Sequence, residues 1–228
     1  MIGFEEQIEL LKLVGNQLEG EVECYAIGGT ALLFLGLNES TKDIDLVFES
    51  EEDRKLMQTA LEKMGFKGSM DESEFEIYRK EEAIRIDPIL LERDDSRFDL
   101  FLKDIISFKL SPTIKKDIKQ KHEFDNLTIY VLRPEYILLL KCATDRKGDR
   151  VDAKNIVERM NIDWDKIIEE VEWQTENGRK IFTVFLYDFL IELKHDFNAD
   201  IPDSILKEVR KIGEDKMLEV LEKNENSN

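Results

Sequence analysis

The sequence predicts an α/β (α+β) fold, in which strands and helices share the first part of the chain and helices alone form the last part. Two observations support this prediction. Apolar residues recur with period two in several short segments before about residue 133. Beyond that point they recur with helical spacing. We therefore expect a core over residues 1–132 and a helical region over residues 133–228 that packs on it.

The first part contains helical and strand patterns in alternation. A helix pattern ends near Gly20, and the next one starts at a glycine pair. Pro88 suggests an edge position or a strand end for the segment that contains it. The expected elements are, in order, a helix over 5–19, a strand over 22–28, a helix over 30–37, a strand over 42–50, a helix over 51–65, a hairpin over 75–91, a helix over 111–120 and a strand over 127–132.

The second part contains helical patterns alone. The expected helices cover residues 134–146, 149–160, 163–173, 183–197 and 204–223.

The composition limits the classes of function. The 228 residues suffice for one large domain or two small ones. The formal net charge of −18 disfavours a broad surface for nucleic acid, but it allows a local basic pocket for one phosphate group. Two distant cysteines fit neither a disulfide framework nor a zinc site. We expect a cytoplasmic protein without a membrane span, because the N-terminus is acidic and apolar runs are short.

Two aspartates lie two residues apart on the strand expected over residues 42–50. Period-two alternation puts Asp43 and Asp45 on one face, roughly 7 Å apart. Solvent, a basic partner or a cation must compensate their repulsion, and Mg²⁺ prefers carboxylate oxygens together with substrate phosphates. By themselves such pairs are more often solvated residues on an exposed sheet face. Asp87, on the polar side of another predicted strand, adds a third carboxylate if the strands are neighbours.

A glycine pair and a threonine, Gly28, Gly29 and Thr30, join the strand over 22–28 to the next helix. Backbone N–H groups point outward at the start of a helix, and glycine allows close approach, so this is the geometry of a phosphate cradle. The alternative is a tight strand-to-helix turn that Thr30 caps. Neither the dinucleotide pattern G-x-G-x-x-G nor the P-loop pattern is present.

In combination, these residues resemble the nucleotidyltransferase superfamily related to DNA polymerase beta. Its pattern is a glycine pair, a helix, Asp-x-Asp on the next strand and a third carboxylate on a neighbouring strand. Within it, "TKDIDLVF" and "LKCATDRKGDRVDAKNI" look like the minimal prokaryotic branch that includes AbiEii-type toxins. The resemblance covers about residues 20–160 and implies a mixed sheet flanked by helices.

The resemblance implies a transferase that moves a nucleotidyl group from an NTP to a hydroxyl acceptor, which could be an RNA end, a protein or a small molecule. Its ion would be Mg²⁺ or Mn²⁺. The implied site residues are Gly28, Gly29, Thr30, Lys141 and Arg146 for the nucleotide, Asp43, Asp45 and Asp87 for metal binding and catalysis, and Asp149 and Asp152 as accessory residues. Asp87 would also help to deprotonate the acceptor.

Other interpretations of the second motif stay open. Lys141 could snorkel at a helix edge instead of reaching a cleft. Arg146, Asp149 and Asp152 are spaced by three, so they could form a solvated ion-pair ladder instead of contacting phosphate or orienting Lys141.

Two departures from the pattern favour an alternative function. Relatives often have serine directly after one glycine and an arginine in the loop before Asp-x-Asp, whereas this chain has Thr30 and Glu39. The alternative is a catalytically weak or inactive protein that binds a nucleotide or acts as a toxin–antitoxin-type partner. A further alternative is an interaction protein whose aspartates are only solvated. A homodimer or a protein partner is also compatible with the sequence.

Overall fold

The computed structural model describes residues 1–68, 88–105, 108–142, 146–177 and 182–225. The chain divides into two compact units. Unit 1 comprises Met1–Ile106 and Ile114–Arg133, and unit 2 comprises Ser107–Thr113 and Pro134–Asn228. No helix in the described ranges is both long and apolar enough to cross a membrane.

The strands are short, and most of them belong to unit 1. They are β1 Ile2–Gly3, β2 Val22–Ala26, β3 Ser40–Thr41, β4 Ile44–Phe48, β5 Lys67–Gly68, β6 Ile89–Arg93, β7 Ser96–Leu102, β8 Asp104–Ile105, β9 Phe108–Lys109, β10 Gln120–Phe124 and β11 Leu127–Val131. Seven of them form one mixed sheet in the order β10-β11-β2-β4-β7-β6-β5. β4 is parallel to β7 and antiparallel to β2, so it lies in the middle of the sheet.

The helices follow the patterns of the sequence closely. They are α1 Phe4–Gln17, α2 Gly28–Phe34, α3 Glu51–Lys63, α4 Pro112–Lys116, α5 Pro134–Lys141, α6 Lys147–Arg159, α7 Trp164–Asn177, α8 Phe182–His195 and α9 Asp203–Glu225. The Oγ of Ser50 accepts a hydrogen bond from the N–H of Asp53 at 3.0 Å, which explains the start of α3. The predicted α/β (α+β) fold, with a mixed sheet flanked by helices, is confirmed.

Three details differ from the sequence-based expectation. Strand β7 was not predicted, because residues 98–101 are buried on both faces and the apolar run over 100–102 hides the period-two pattern. Strand β10 was not predicted either, because it is a polar strand at the sheet edge. The helix expected over 111–120 is the shorter α4. The first strand of the expected hairpin, 75–80, lies outside the described residues.

In unit 2 one helix is almost completely buried, and hydrogen bonds join the short segment that contains Lys109 and Ser111 to another helix. Every residue of α5 is buried. The amide of Gln174 on α7 bonds the backbone of Lys109 twice, at 3.1 Å to its N–H and at 2.6 Å to its carbonyl oxygen. The hydroxyl of Ser111 donates to Glu170 at 2.6 Å. Burial raises the pKa of the Glu170 carboxyl, although hydrogen bonds from Ser111 and Gln174 oppose this shift.

Candidate active site

Three carboxylates converge where β4 and β7 run side by side. Carboxylate oxygens of Asp43, Asp45 and Asp99, which we call the triad, lie within 4.8 Å of one another. Asp43 lies one residue before β4, Asp45 lies in β4, and Asp99 lies in β7. Asp43 and Asp45 are partly exposed, whereas Asp99 is fully buried. The triad therefore combines access from solvent with one buried carboxylate.

The strand register explains this convergence. Asp45 is the direct partner of Asp99 in the parallel ladder. Because side chains alternate along a strand, Asp45 and Asp99 share one face, and Asp43 lies two residues earlier on the same side. The adjacent apolar residues are fully buried: Ile44, Leu46, Phe98 and Leu100. Their burial fixes the register that brings the carboxylates together.

The start of α2 holds the backbone of Asp45. The N–H of Ile27 donates to the carbonyl oxygen of Asp45 at 3.2 Å. The N–H of Asp45 donates to Oγ1 of Thr30 at 2.8 Å, and the Thr30 hydroxyl donates to the carbonyl oxygen of Asp43 at 3.4 Å. Thr30 is fully buried, and its hydroxyl connects the start of α2 to the backbone of Asp43 and Asp45. A contact between Thr30 and a triphosphate stays a prediction.

Both glycines allow an approach that a side chain would block. Gly28 has a φ of +54°, and a Cβ atom there would lie 2.3 Å from Oδ2 of Asp45. A Cβ atom at Gly29 would lie 2.1 Å from Oγ1 of Thr41. The glycine pair therefore makes room for the Asp45 carboxylate and for Thr41 in front of α2. Binding of a triphosphate at this turn stays a prediction.

Arg97 supplies positive charge to the triad from β7. Its Nε donates to Oδ1 of Asp99 at 2.6 Å, and its Nη2 donates to Oδ2 of Asp99 at 2.7 Å. The same Nη2 lies 3.7 Å from Oδ2 of Asp43. The loop before Asp-x-Asp lacks the arginine that relatives often carry there, but an arginine still reaches the carboxylates of this chain from a neighbouring strand.

Asp99 was missed by the reasoning from sequence. The third carboxylate was assigned to Asp87, which lies outside the described residues, so that assignment stays a prediction. Both aspartates end an Arg-x-Asp pattern, R-I-D at Asp87 and R-F-D at Asp99. The signal for Asp99 was a single carboxylate inside the apolar stretch "FDLFL", because a buried charge in a strand needs a partner.

The predicted residues of the second motif form an ion network within unit 2, which we call the lysine cluster. The Nζ of Lys141 lies 2.7 Å from Oδ1 of Asp149 and 2.6 Å from Oδ2 of Asp152. The Nε of Arg146 lies 3.0 Å from Oδ2 of Asp149. Burial lowers the pKa of the Lys141 ammonium, but the two carboxylates outweigh it and raise that pKa above the usual lysine value.

The ion network excludes one of the alternatives for Lys141, a side chain that snorkels to solvent. Lys141 is buried, so it does not snorkel to solvent, and two carboxylates orient its ammonium. Arg146 is half exposed, with 48% of its side chain accessible. A contact of Lys141 or Arg146 with a nucleotide stays a prediction, as does an accessory role for Asp149 and Asp152.

The donor chemistry of the triad fits a divalent cation. Carboxylate oxygens are the ligands that Mg²⁺ and Mn²⁺ prefer. The triad offers three of these groups, with ligand atoms within 4.8 Å of one another. Within the described part of the chain, its three negative charges exceed the positive charge of Arg97, an arrangement that favours a cation.

One of the comparisons with known proteins, the match to a family model, supports a family assignment. The model of a family described as aminoglycoside-2″-adenylyltransferase matches residues 10–156, more than half of the chain, including the glycine pair and the triad. The crystal structure of an antigenic nucleotidyltransferase-like protein from Paracoccidioides brasiliensis is similar with a TM-score of 0.47 and 14% identity, covering 90% of this chain and 94% of that chain. No curated protein matches significantly.

Proposed function

This chain belongs to the aminoglycoside-2″-adenylyltransferase family, and on that premise we propose that it moves a nucleoside monophosphate from an NTP to a hydroxyl acceptor. The membership confirms the predicted nucleotidyltransferase superfamily, whereas the closer placement beside AbiEii-type toxins stays a prediction. The observation that carries the proposal is the convergence of the Asp43, Asp45 and Asp99 carboxylates within 4.8 Å.

The triad is our proposed site for the divalent ion, Mg²⁺ or Mn²⁺. When bound, such an ion neutralises negative charge on a triphosphate and polarises its phosphoryl oxygens. We propose Asp99 as the third carboxylate because it is the strand partner of Asp45. Asp87 stays the competing candidate for this position.

The residues of the chain would act mainly by positioning and by proton transfer. The acceptor oxygen attacks the α-phosphorus, the bond to the pyrophosphate oxygen breaks, and the hydroxyl proton passes to a base. Asp99 is buried and bonded to Arg97 through both oxygens, so it is a poor base. The partly exposed carboxylates Asp43 and Asp45 are the better candidates for accepting the proton.

For the acceptor, we propose a small polyhydroxylated cation rather than an RNA end or a protein. The net charge of −18 repels polyanions at long range and attracts cations. The description of the family points to an aminoglycoside, which is an acceptor of this chemical class. An NTP remains compatible with the acidic chain because its phosphates would be met by the divalent ion and by nearby basic groups.

The test is transfer of label from each of the four α-labelled NTPs in Mg²⁺. The acceptors are an aminoglycoside, the same compound with its amines acetylated, an RNA 3′ end and an unrelated protein. We expect label on the free aminoglycoside, much less on its acetylated form, and a loss of at least about 10²-fold in the Asp43→Asn/Asp45→Asn variant.

Other patterns of label would change the proposal. Label on RNA or protein alone would contradict the cationic acceptor. Mg²⁺-dependent NTP binding without transfer to any acceptor would support the alternative of a catalytically weak or inactive nucleotide-binding protein.

A further inference from the structure

We propose that Arg97 is a resident counter-cation of the triad, with which a divalent ion competes for Asp99. The proposal rests on the proposed function only in taking the triad as the site of the ion. It assigns Arg97 a positioning role, because the residue acts through the carboxylates that it contacts. Two features of the structure carry it: the bidentate contact with Asp99 and the positive charge that Arg97 places beside the carboxylates.

The contact of Arg97 with Asp99 uses both carboxylate oxygens. The two N–H···O distances are 2.6 and 2.7 Å, and the Asp99 side chain is 0% exposed. A planar guanidinium that donates two hydrogen bonds to a buried carboxylate makes a strong ion pair with a fixed geometry. An ion that takes Asp99 as a ligand must therefore share an oxygen with Arg97 or displace one of its N–H groups.

Arg97 also reaches a second member of the triad. Its Nη2 lies 3.7 Å from Oδ2 of Asp43, and 18% of its side chain is exposed. Arg97 precedes Asp99 by two residues in β7, so the alternation of the strand puts both on one face. The parallel register that pairs Asp45 with Asp99 then brings Arg97 beside Asp43.

The charge balance gives the direction of the effect. Among the described residues, three carboxylates face the guanidinium of Arg97, and removal of Arg97 takes one positive charge away from them. A divalent ion in the triad is attracted by the carboxylates and repelled by Arg97 over only a few ångströms. Loss of Arg97 should therefore strengthen ion binding and weaken the ion-free protein. An arginine with a merely structural role would not produce these opposite signs.

The experiment titrates Mn²⁺ alone, without nucleotide, into the full-length protein and follows free Mn²⁺ by electron paramagnetic resonance. We expect Arg97→Gln to bind Mn²⁺ at least about tenfold more tightly than the wild type. In chelator we expect it to melt several degrees lower, and its melting temperature should rise more on addition of Mn²⁺. Arg97→Lys keeps the charge, so its affinity should lie within about threefold of the wild type.

Two controls define where the effect arises. Arg54→Gln removes another largely buried arginine of unit 1, 13% exposed, which pairs with Glu51 on α3 at 2.7 Å. It should leave Mn²⁺ affinity unchanged. Asp43→Asn/Asp45→Asn should abolish the tight binding, which locates the measured ion at the triad.

Equal or weaker Mn²⁺ binding by a folded Arg97→Gln protein would overturn the proposal, and so would absence of Mn²⁺ binding by both this variant and the wild type. If Arg97→Gln does not fold even with Mn²⁺, the Arg97→Lys variant tests the proposal. A change of about tenfold in the Mn²⁺ affinity of that variant, in either direction, would contradict a role set by charge. Failure of nucleotidyl transfer with the expected Mn²⁺ affinities would overturn the proposed function and leave the role of Arg97 standing.

Discussion

The triad of unit 1 and the lysine cluster of unit 2 each combine buried and partly exposed charged groups, but their balance of charge differs. Counted over the residues that the structure describes, the triad sets three carboxylates against Arg97. On the same basis, the lysine cluster sets two positive groups, on Lys141 and Arg146, against two carboxylates. A balanced network can be stable by itself, whereas an excess of negative charge requires solvent or a cation. Charge excess thus distinguishes a candidate ion site from an ion network better than the count of charged residues does.

The largest effect on stability should follow removal of the central charge of the lysine cluster. Lys141→Met leaves Asp149 and Asp152 without the ammonium that they share, so we expect a loss of about 3–5 kcal/mol in the free energy of unfolding. Urea denaturation measures it. The control is Lys154→Met, which removes a lysine 33% exposed that lies 3.4 Å from Glu158 on the same helix.

The control should lose less than about 0.5 kcal/mol, because exposed ion pairs contribute little. If Lys141→Met cost no more than Lys154→Met, the lysine cluster would not be the balanced, stabilising network that the comparison assumes.

Alanine substitutions at two glycines distinguish the effect of backbone strain on stability from the effect of a displaced carboxylate on activity. Gly28 and Gly36 have φ values of +54° and +67°, but a Cβ atom at Gly36 meets nothing within 4 Å. Alanine at either position should cost about 1 kcal/mol of stability because of the positive φ. Gly28→Ala should also displace the Asp45 carboxylate and lower nucleotidyl transfer by at least about tenfold. Transfer that is equal in the two variants would contradict this.

A smaller effect concerns Glu170, a buried carboxyl whose partners Ser111 and Gln174 are neutral. Its pKa is raised in the folded state by burial, so the folded protein binds more protons here than the unfolded chain. This contribution to stability is fully present below the unfolded pKa and is lost as pH rises through the folded one. Each unit of raised pKa corresponds to about 1.4 kcal/mol.

Glu170→Gln should therefore lose less stability than the wild type between pH 4.5 and pH 7.5, the range that starts at the ordinary glutamate pKa. Urea denaturation at both pH values measures this difference. Glu169→Gln, an exposed change on the same helix, should keep the wild-type dependence. A wild-type slope in Glu170→Gln would show that Glu170 does not titrate in this range.

The site could be predicted from sequence where the signal is local. Asp43 and Asp45 follow from period-two alternation, and the glycine pair marks a turn in which one φ is positive. The convergence of Asp99 with this pair could not be predicted, because it depends on which segment pairs with β4, and that pairing is a tertiary contact. Nor did the sequence indicate that Arg97 bonds both oxygens of Asp99. The spacing puts the two residues on one strand face, but it does not specify the side-chain conformations that a bidentate contact needs.

The fold shows the same division. Amphipathic periodicity predicted the helices of unit 2, because those other than the fully buried α5 bury one apolar face. The central strand β7 and the edge strand β10 lacked the alternation of a half-buried strand, one because it is buried on both faces and the other because it is largely polar.

The most direct test of the triad is a calorimetric titration of NTP in the presence of Mg²⁺ into the wild type, Asp99→Asn and Asp87→Asn. Asp43→Asn/Asp45→Asn serves as the variant without a site. If Asp43, Asp45 and Asp99 form the ion site, Asp99→Asn loses Mg²⁺-dependent NTP binding and Asp87→Asn keeps it. Binding that survives in Asp99→Asn and disappears in Asp87→Asn would contradict the triad and return the third position to Asp87.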